Sequence, residues 1–282
     1  MLVNLNEVLV KARKEHYSVP AFDCTEELIR PILDECERLG SPVILMALEH
    51  DLKGKGIAYI SSIIKGVAPE YNIPIVLHLD HATNIELIKR AIEYGFTSVM
   101  FDGSVLPFEE NVKITKEVVR LAHAKGVSVE AELGRVAGLD LDGSDTGETR
   151  LTEAEDVTKF VELTGVDALA ISIGTSHGIY VSLPKLNIER LKEINAVSTV
   201  PLVLHGGSGT PIAQVREAIK NGIAKINLYA DIRIAMTAGA KKAFTADQRV
   251  DALPDQLFAP IKDAVKEAVK GKVEMILSKG KA

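Results

Sequence analysis

The sequence predicts a closed α/β barrel of eight parallel strands, and three observations indicate this fold. Short apolar, β-rich runs recur eight times, and helical spacing of apolar residues separates most of them. The runs are almost continuously apolar, as parallel strands covered by helices are. Eight strands with right-handed crossovers close a barrel, so the predicted class is a single (β/α)8 TIM barrel. An open doubly wound sheet is the alternative, but the loop after the first strand lacks a glycine-rich dinucleotide turn.

The elements follow one another along the whole chain, 1–282, as one predicted domain. Strands are predicted at 18–23, 43–48, 75–80, 98–103, 128–133, 168–173, 202–207 and 225–230. Helical spacing is clearest over 27–39, 84–95 and 109–126, and glycines that favour helix C-caps follow helical segments at Gly40, Gly95, Gly126 and Gly222. Residues 134–153, rich in Gly, Asp and Thr, predict an active-site loop, and residues 255–280 predict a final amphipathic helix.

Composition and charge exclude several function classes. A net charge of −6 argues against a general nucleic-acid binder, and no apolar stretch is long enough to cross a membrane. Cys24 and Cys36 are too few for a disulfide framework, so we expect two small buried hydrophobic side chains in a reducing compartment. A cytoplasmic location is the resulting expectation.

Titratable residues cluster at the strand ends that form the active-site face of such barrels. These strand ends and the loops after them carry Asp80, His81, Asp102, Glu132, His177 and His205. Three neutral imidazoles, from His81, His177 and His205, with a fourth position open are the arrangement of a catalytic zinc. Asp102 and Glu132 either form a second metal position or hydrogen-bond the histidines and set their tautomers.

The other four histidines are not assigned to the metal. His78 is expected to orient a ligand or a carboxylate, whereas His16 and His123 lie in helical patterns and are expected in solvent. His50 follows the second strand and faces either the site or solvent.

The stretch LHGGSG, residues 204–209, predicts a phosphate site. It offers successive backbone N–H groups and a hydroxyl, and Pro211 marks a helix start just after it. Amides at a helix N-terminus bind phosphate well, and barrels often place such a site after strands seven and eight. Gly178 and the strand end INLYA are expected beside it.

Together these stretches resemble the class II, metal-dependent fructose-1,6-bisphosphate and tagatose-1,6-bisphosphate aldolases. HLDHATN, SVMFDGS, VEAELG, GTSHGIY, PLVLHGGSG and KINLYADI occur in the family's order. The resemblance implies reversible retro-aldol cleavage of a ketose 1,6-bisphosphate to dihydroxyacetone phosphate and an aldehyde such as glyceraldehyde 3-phosphate. In that reaction the metal acts as a Lewis acid toward the carbanion left by C3–C4 cleavage. A homodimer or homotetramer is also implied.

The resemblance also implies residue roles. Zn²⁺ would bind His81, His177 and His205, and Asp80 would exchange a proton with the C4 hydroxyl. A second divalent metal would bind at Asp102 and Glu132, and a monovalent cation, Na⁺ or K⁺, would bind backbone carbonyls near the phosphate. The residues implied to hold the phosphate of dihydroxyacetone phosphate are Gly178, Gly206, Gly207, Ser208, Asn227, Leu228, Tyr229 and Ala230.

Several positions depart from the family pattern. The base on the loop after strand five is usually Glu, and here the best match is Asp140, with Asp142 competing. Asp23 replaces a usual Asn in the substrate site, and Leu48 replaces a usual hydroxyl residue.

Cations that usually hold the far phosphate are also missing. The family's lysine after HG is absent unless Lys185 substitutes, DALPDQ replaces an arginine-bearing stretch, and Lys53 and Lys55 are the compensating candidates. The sequence therefore keeps alternatives open: the same chemistry on another ketose 1-phosphate with a non-standard acceptor aldehyde, a metal-dependent hydrolase, or a catalytically silent sugar-phosphate-binding barrel.

Overall fold

The protein folds into a closed barrel of eight parallel strands. The computed structural model describes residues 1–136, 149–176, 178, 183–246 and 249–282. The strands are β1 (Val19–Asp23), β2 (Val43–Leu48), β3 (Ile75–Ala82), β4 (Ser98–Phe101), β5 (Ser128–Leu133), β6 (Ala168–Ile171), β7 (Leu202–Leu204) and β8 (Ile223–Asn227). Each pairs with the next, and β1 also pairs with β8, with Ala21 opposite Asn227. The TIM-barrel prediction is confirmed, and the open sheet is excluded because the barrel closes.

Helices alternate with the strands and surround the barrel. They are α1 (Leu5–Glu15), α2 (Glu26–Leu39), α3 (Gly56–Val67), α4 (Ile85–Tyr94), α5 (Phe108–His123), α6 (Ala154–Thr164), α7 (Ile188–Val197), α8 (Ile212–Lys220), α9 (Ala230–Ala246) and α10 (Pro254–Met275), with a 3₁₀ turn at Ala68–Glu70. Of the helices that the structure describes, none is long and apolar enough to span a bilayer. The final helix predicted over 255–280 ends at Met275, and Leu277 just after it adopts the left-handed conformation, with φ 64°.

The strand predictions are exact for β2 and β5 and shift by a few residues elsewhere. The predictions 98–103, 168–173 and 202–207 run past the ends of their strands, which stop at Phe101, Ile171 and Leu204. These segments leave the sheet early because the chain turns there into the loops that build the site. β3 instead continues two residues beyond its predicted end, to Ala82.

Two of the four predicted glycine caps are correct. Gly40 and Gly95 cap α2 and α4 with φ of 60° and 88°. Gly126 and Gly222 also have positive φ, 71° and 108°, but α5 and α8 have ended before them and their C-caps are earlier residues. These two glycines therefore shape the turns after the helices.

The core has two parts, one inside the barrel and one between the strands and helices. The interior part joins Leu5, Val8 and Leu9 of α1 to aliphatic side chains such as Val76 and Val203. Helix α1, which the strand pattern had not identified, thus packs onto the interior core. The outer part contains Cys24 and Cys36, both free thiols and fully buried, as the sequence predicts.

Candidate active site

The end of β3 brings two adjacent side chains into one site. Strand residues normally alternate between faces, so Asp80 and His81 would point apart. A register shift against β4 between Leu79 and Ala82 inserts one extra residue, and His81 takes a left-handed φ of 47°. This conformation costs a non-glycine residue about 1 kcal/mol. Both side chains consequently line a single cavity of about 400 Å³.

Acidic residues from the next two strands surround His81. Asp102 Oδ2 lies 2.8 Å from His81 Nδ1, and Glu132 Oε2 lies 4.0 Å from the same nitrogen. Asp102 also accepts from the backbone N–H of Ser104 at 3.0 Å, which fixes its orientation. Because a carboxylate only accepts, Asp102 places the proton of His81 on Nδ1 and directs Nε2 elsewhere.

His205 lies immediately beneath the cavity, fully buried, with its ring centroid 4.5 Å from that of His81. Its Nε2 is 3.0 Å from Glu130 Oε1, and its Nδ1 is 3.1 Å from Glu132 Oε2. The sequence separation between His81 and His205 exceeds 120 residues, so only closure of the barrel brings these rings together.

These groups fit a divalent metal. Asp80, His81 and His205 present ligand atoms within 4.8 Å of one another, as do His81, Asp102 and Glu132. The buried Glu132 Oε2 has no hydrogen-bond partner among the described residues. A buried carboxylate oxygen that faces a neutral imidazole nitrogen at 3.1 Å favours a bound cation at this place, and mixed N and O donors suit zinc.

The two carboxyl groups at the centre of the site hold their protons differently. Burial opposes ionisation of Asp80, yet His81, His78 and Lys225 set its pKa well below the usual value. Burial and the neighbouring Asp80 charge raise the pKa of Asp23 well above its usual value. Although burial disfavours the imidazolium, the surrounding carboxylates, Asp80 first, raise the pKa of His81 to about 10. The site thus pairs an ionised Asp80 with a neutral Asp23.

A comparison with known families identifies the family of the chain. The family model for "Fructose-bisphosphate aldolase class-II" matches residues 3–281. The chain belongs to the class II fructose-bisphosphate aldolase family. The family is metal-dependent in general, and the histidine–carboxylate cluster could hold a metal ion.

Solved structures agree with this assignment. The chain is 34% identical to the YdjI aldolase of Escherichia coli K12, with a TM-score of 0.88 and full coverage of both chains. It is 31% identical to a fructose-1,6-bisphosphate aldolase candidate from Coccidioides immitis, with a TM-score of 0.86 and coverage of 99% and 97%. The fructose-bisphosphate aldolase of Campylobacter jejuni shares the fold at 22% identity, with a TM-score of 0.82 and coverage of 100% and 97%.

Three of the predicted aldolase residues lie outside the described residues. They are the third histidine, His177, and both candidates for the loop base, Asp140 and Asp142. Most of the predicted loop 134–153 is outside as well. The structure therefore brings together two of the three histidines with Asp80, and the third ligand and the loop base stay predictions.

The aldolase's predicted phosphate site is only partly assembled around the cavity. The residues predicted for it that line the cavity are Gly178, Gly206, Ser208, Asn227, Tyr229 and Ala230. Asp23, predicted in the substrate site, lines the cavity as well. Gly206 needs to be glycine, because it has φ 64° and a Cβ there would lie 2.3 Å from the carbonyl oxygen of Ser176. Gly207 and Leu228 differ from the prediction: Gly207 packs against Ile226 of β8, and the Leu228 side chain is buried in the outer core. Both lie outside the cavity lining.

Of the residues that depart from the aldolase pattern or were candidates to compensate for it, some line the cavity and others lie outside it. Leu48 lines the cavity, as its place at the end of β2 predicts. Lys53, Lys55 and Lys185 are exposed and lie outside the lining. His50 is also outside it, with a side chain 46% exposed and 3.0 Å from Asp51.

Two arginines in the aldolase cavity were missed by sequence reasoning. Arg135 follows β5, and Arg233 lies on α9 with its guanidinium 5.2 Å from the centroid of the Tyr229 ring. A lone arginine has no sequence signal of its own. The position of Arg233, one helical turn after Tyr229, was the available hint.

Sequence reasoning also missed charges inside the barrel. Glu130 and Lys225 are fully buried, and although burial opposes ionisation, Lys225 and His205 lower the pKa of Glu130 to about 2. The alternation of side chains along a strand could have located both residues. Glu130 precedes Glu132 by two positions, Lys225 precedes Asn227 by two, and residues two apart lie on the same face of a strand.

Proposed function

We propose that this aldolase catalyses metal-dependent, reversible cleavage of a ketose 1,6-bisphosphate, fructose- or tagatose-type, to dihydroxyacetone phosphate and an aldehyde such as glyceraldehyde 3-phosphate. The observation that supports this best is the convergence of Asp80 and His81 in the cavity with His205 directly beneath it, in a class II aldolase barrel. His81 and His205, with His177 as the predicted third ligand, would hold Zn²⁺. Asp102 and Glu132 orient these ligands or take up a second divalent ion.

Asp80 is suited to move the C4 hydroxyl proton. Its carboxylate is ionised, and Asn227 Nδ2 donates to both of its oxygens at 3.1 and 3.3 Å. The amide thereby fixes the direction from which Asp80 approaches the hydroxyl as the C3–C4 bond breaks. A metal held by the histidines would supply Lewis-acid stabilisation of the charge that develops next to the C2 carbonyl. Asp140 or Asp142, in its protonated form, would then donate a proton to C3.

Phosphate binding is proposed at the mouth of β7 and β8. Gly206 and Ser208 line the cavity just before α8, and the Ser208 hydroxyl accepts from the Asp231 backbone N–H at 3.3 Å. Backbone amides near a helix start attract a dianionic phosphate. We also propose a monovalent cation, Na⁺ or K⁺, near that phosphate, by similarity to the family.

A second candidate is the same cleavage on a ketose 1-phosphate whose acceptor aldehyde is not glyceraldehyde 3-phosphate. It is favoured by Leu48 in the lining, where an apolar side chain offers no hydrogen bond to a far phosphate. Arg135 and Arg233 favour the bisphosphate instead, because either guanidinium pairs well with an anionic far end.

The test is a coupled assay for dihydroxyacetone phosphate over fructose and tagatose bisphosphates and a panel of ketose 1-phosphates, with and without chelator. We expect turnover that chelation abolishes and added Zn²⁺ restores. Full-rate turnover of fructose bisphosphate would exclude the second candidate. Hydrolysis without dihydroxyacetone phosphate would indicate a hydrolase, and bound sugar phosphate without turnover would indicate a silent barrel.

We further propose a cytoplasmic homodimer or homotetramer. The two free buried thiols support a reducing compartment, and the oligomer is proposed by similarity to the family. Sedimentation of the purified protein tests the subunit number.

A further inference from the structure

A buried ion pair lies in the barrel interior, below the metal-binding histidines. Lys225 Nζ on β8 is 2.7 Å from Glu130 Oε2 and 3.0 Å from Glu130 Oε1 on β5. Both side chains are fully buried. Moving two charges out of water is costly, and apolar residues of similar size in place of such pairs are often neutral or stabilising. A contribution to stability therefore does not explain why Glu130 and Lys225 are buried here.

The rest of the barrel interior shows that charge is not needed to fill it. Two positions earlier on the same faces, Val76 precedes His78 and Val203 precedes His205, and both valines belong to the aliphatic interior core. Ser128, two positions before Glu130, is buried and polar but uncharged. These three positions are therefore filled without charge. Among the described strand residues, the buried charged side chains are those of Asp23, Asp80, Glu130, Glu132 and Lys225.

Glu130 contacts one of those residues directly. Its Oε1 lies 3.0 Å from His205 Nε2. A carboxylate has no proton to give, so the proton of this hydrogen bond is on Nε2, and the lone pair of a neutral His205 ring is on Nδ1. Nδ1 is the nitrogen beside Glu132, which lines the cavity. Glu132 Oε2 is also a carboxylate oxygen, 3.1 Å from Nδ1, so without a metal the two carboxylates compete for the ring proton. With a metal ion at Nδ1, the proton would lie on Nε2, where Glu130 accepts it.

Lys225 keeps Glu130 available for this role. Glu130, His78 and Asp80 present ligand atoms within 4.8 Å of one another, which is a second set able to hold a cation. The Lys225 ammonium lies among them, 2.7 Å from Glu130 and 3.9 Å from Asp80 Oδ1. The ammonium group therefore provides the positive charge that a metal ion bound to Glu130, His78 and Asp80 would otherwise provide.

We infer that Glu130 and Lys225 form a positioning pair for the metal site: Glu130 holds His205 with Nδ1 directed to the metal, and Lys225 holds Glu130 in place. The inference rests on the proposed metal dependence. It adds a function for two residues that touch neither the substrate nor the metal.

The test compares two double variants that both remove the buried charges. E130Q/K225M keeps an amide oxygen that accepts from His205 Nε2, whereas E130M/K225M has nearly the same side-chain shape without a good acceptor. Loss of an outer partner of a metal-binding histidine typically costs 10–100-fold in metal affinity. We therefore expect Co²⁺ affinity within about threefold of native for the glutamine variant and about 10–100-fold weaker for the methionine variant, with a changed visible Co²⁺ spectrum.

Thermal unfolding shows whether each variant is folded, and E130L/K225M replaces the methionine variant if it is not. Equal Co²⁺ affinity and identical spectra in folded acceptor-containing and acceptor-lacking variants would overturn the inference. Failure of the native protein to bind Co²⁺ at all would instead refute the proposed metal dependence.

The native protein offers a second measurement that needs no Glu130 or Lys225 variant. In Zn²⁺-loaded protein labelled with ¹⁵N-histidine, we expect the His205 ring to carry its proton on Nε2. Its signals are assigned by their absence in His205→Gln. A proton on Nδ1 would overturn the inference.

Discussion

Replacing Asp80 by Asn is the most direct test of the proposed chemistry, because it removes the charge and keeps the size. Asn227 donates to the Asp80 carboxylate at 3.1 Å, and the amide oxygen of the new asparagine can accept the same bond. Lys225 is not left unpaired, because Glu130 stays 2.7 Å away. The two charge-assisted contacts from Asn227 give way to one neutral hydrogen bond, so the free energy of unfolding should fall by about 1–3 kcal/mol.

The effect on turnover should be much larger. A positioned acid–base group contributes about 10²- to 10⁴-fold, so kcat should fall by that factor, equivalent to about 3–5 kcal/mol of activation free energy. If Asp80 moves a proton and does not bind the metal, His81 and His205 remain and Co²⁺ affinity should stay within about threefold of native.

The assay is coupled detection of dihydroxyacetone phosphate beside a Co²⁺ titration of the same preparation. Asp167→Asn is the matched control, since Asp167 precedes β6 at the opposite end of the barrel and accepts from the Val129 N–H at 2.7 Å. The control should keep its kcat. A drop of less than tenfold for Asp80→Asn, or a fall in kcat that parallels a fall in metal affinity, would refute the proton-transfer role.

Three further predictions concern the metal site and the core. Asp102→Ala should weaken Co²⁺ binding about 10–100-fold because it removes the oxygen that lies 2.8 Å from His81 Nδ1 and orients the ring, and unchanged binding would contradict this. In chelated protein the folded pKa of His81, about 10, exceeds its ordinary value of 6.5. Its stabilisation is therefore complete below pH 6.5 and lost as the pH rises toward 10, and urea unfolding should show a decline that is shallower in His81→Gln. Leu9→Ala should lower the free energy of unfolding by about 2–5 kcal/mol because Leu9 is fully buried against the barrel interior, and a loss below 1 kcal/mol would argue that α1 packs loosely.

The amino-acid sequence alone was sufficient for the number, order and type of strands. Apolar runs and helical spacing are local properties, because the spacing of apolar residues within a segment indicates whether that segment is a strand or a helix. The same local signal located the strand ends that carry Asp80, His81 and Glu132, because an ionisable residue stands out after an apolar run. Strand limits were less exact, since hydrogen bonding to a neighbouring strand decides where the chain leaves the sheet.

Pairing across the barrel was decided only by the tertiary structure. The register shift at His81 depends on β4, and the 4.5 Å separation of the His81 and His205 rings depends on closure between β1 and β8. The Glu130–Lys225 pair joins residues 95 positions apart. Such contacts are set by strand register and tilt, which no short stretch encodes, so the sequence indicated which groups reach the site and the folded barrel determined which of them meet.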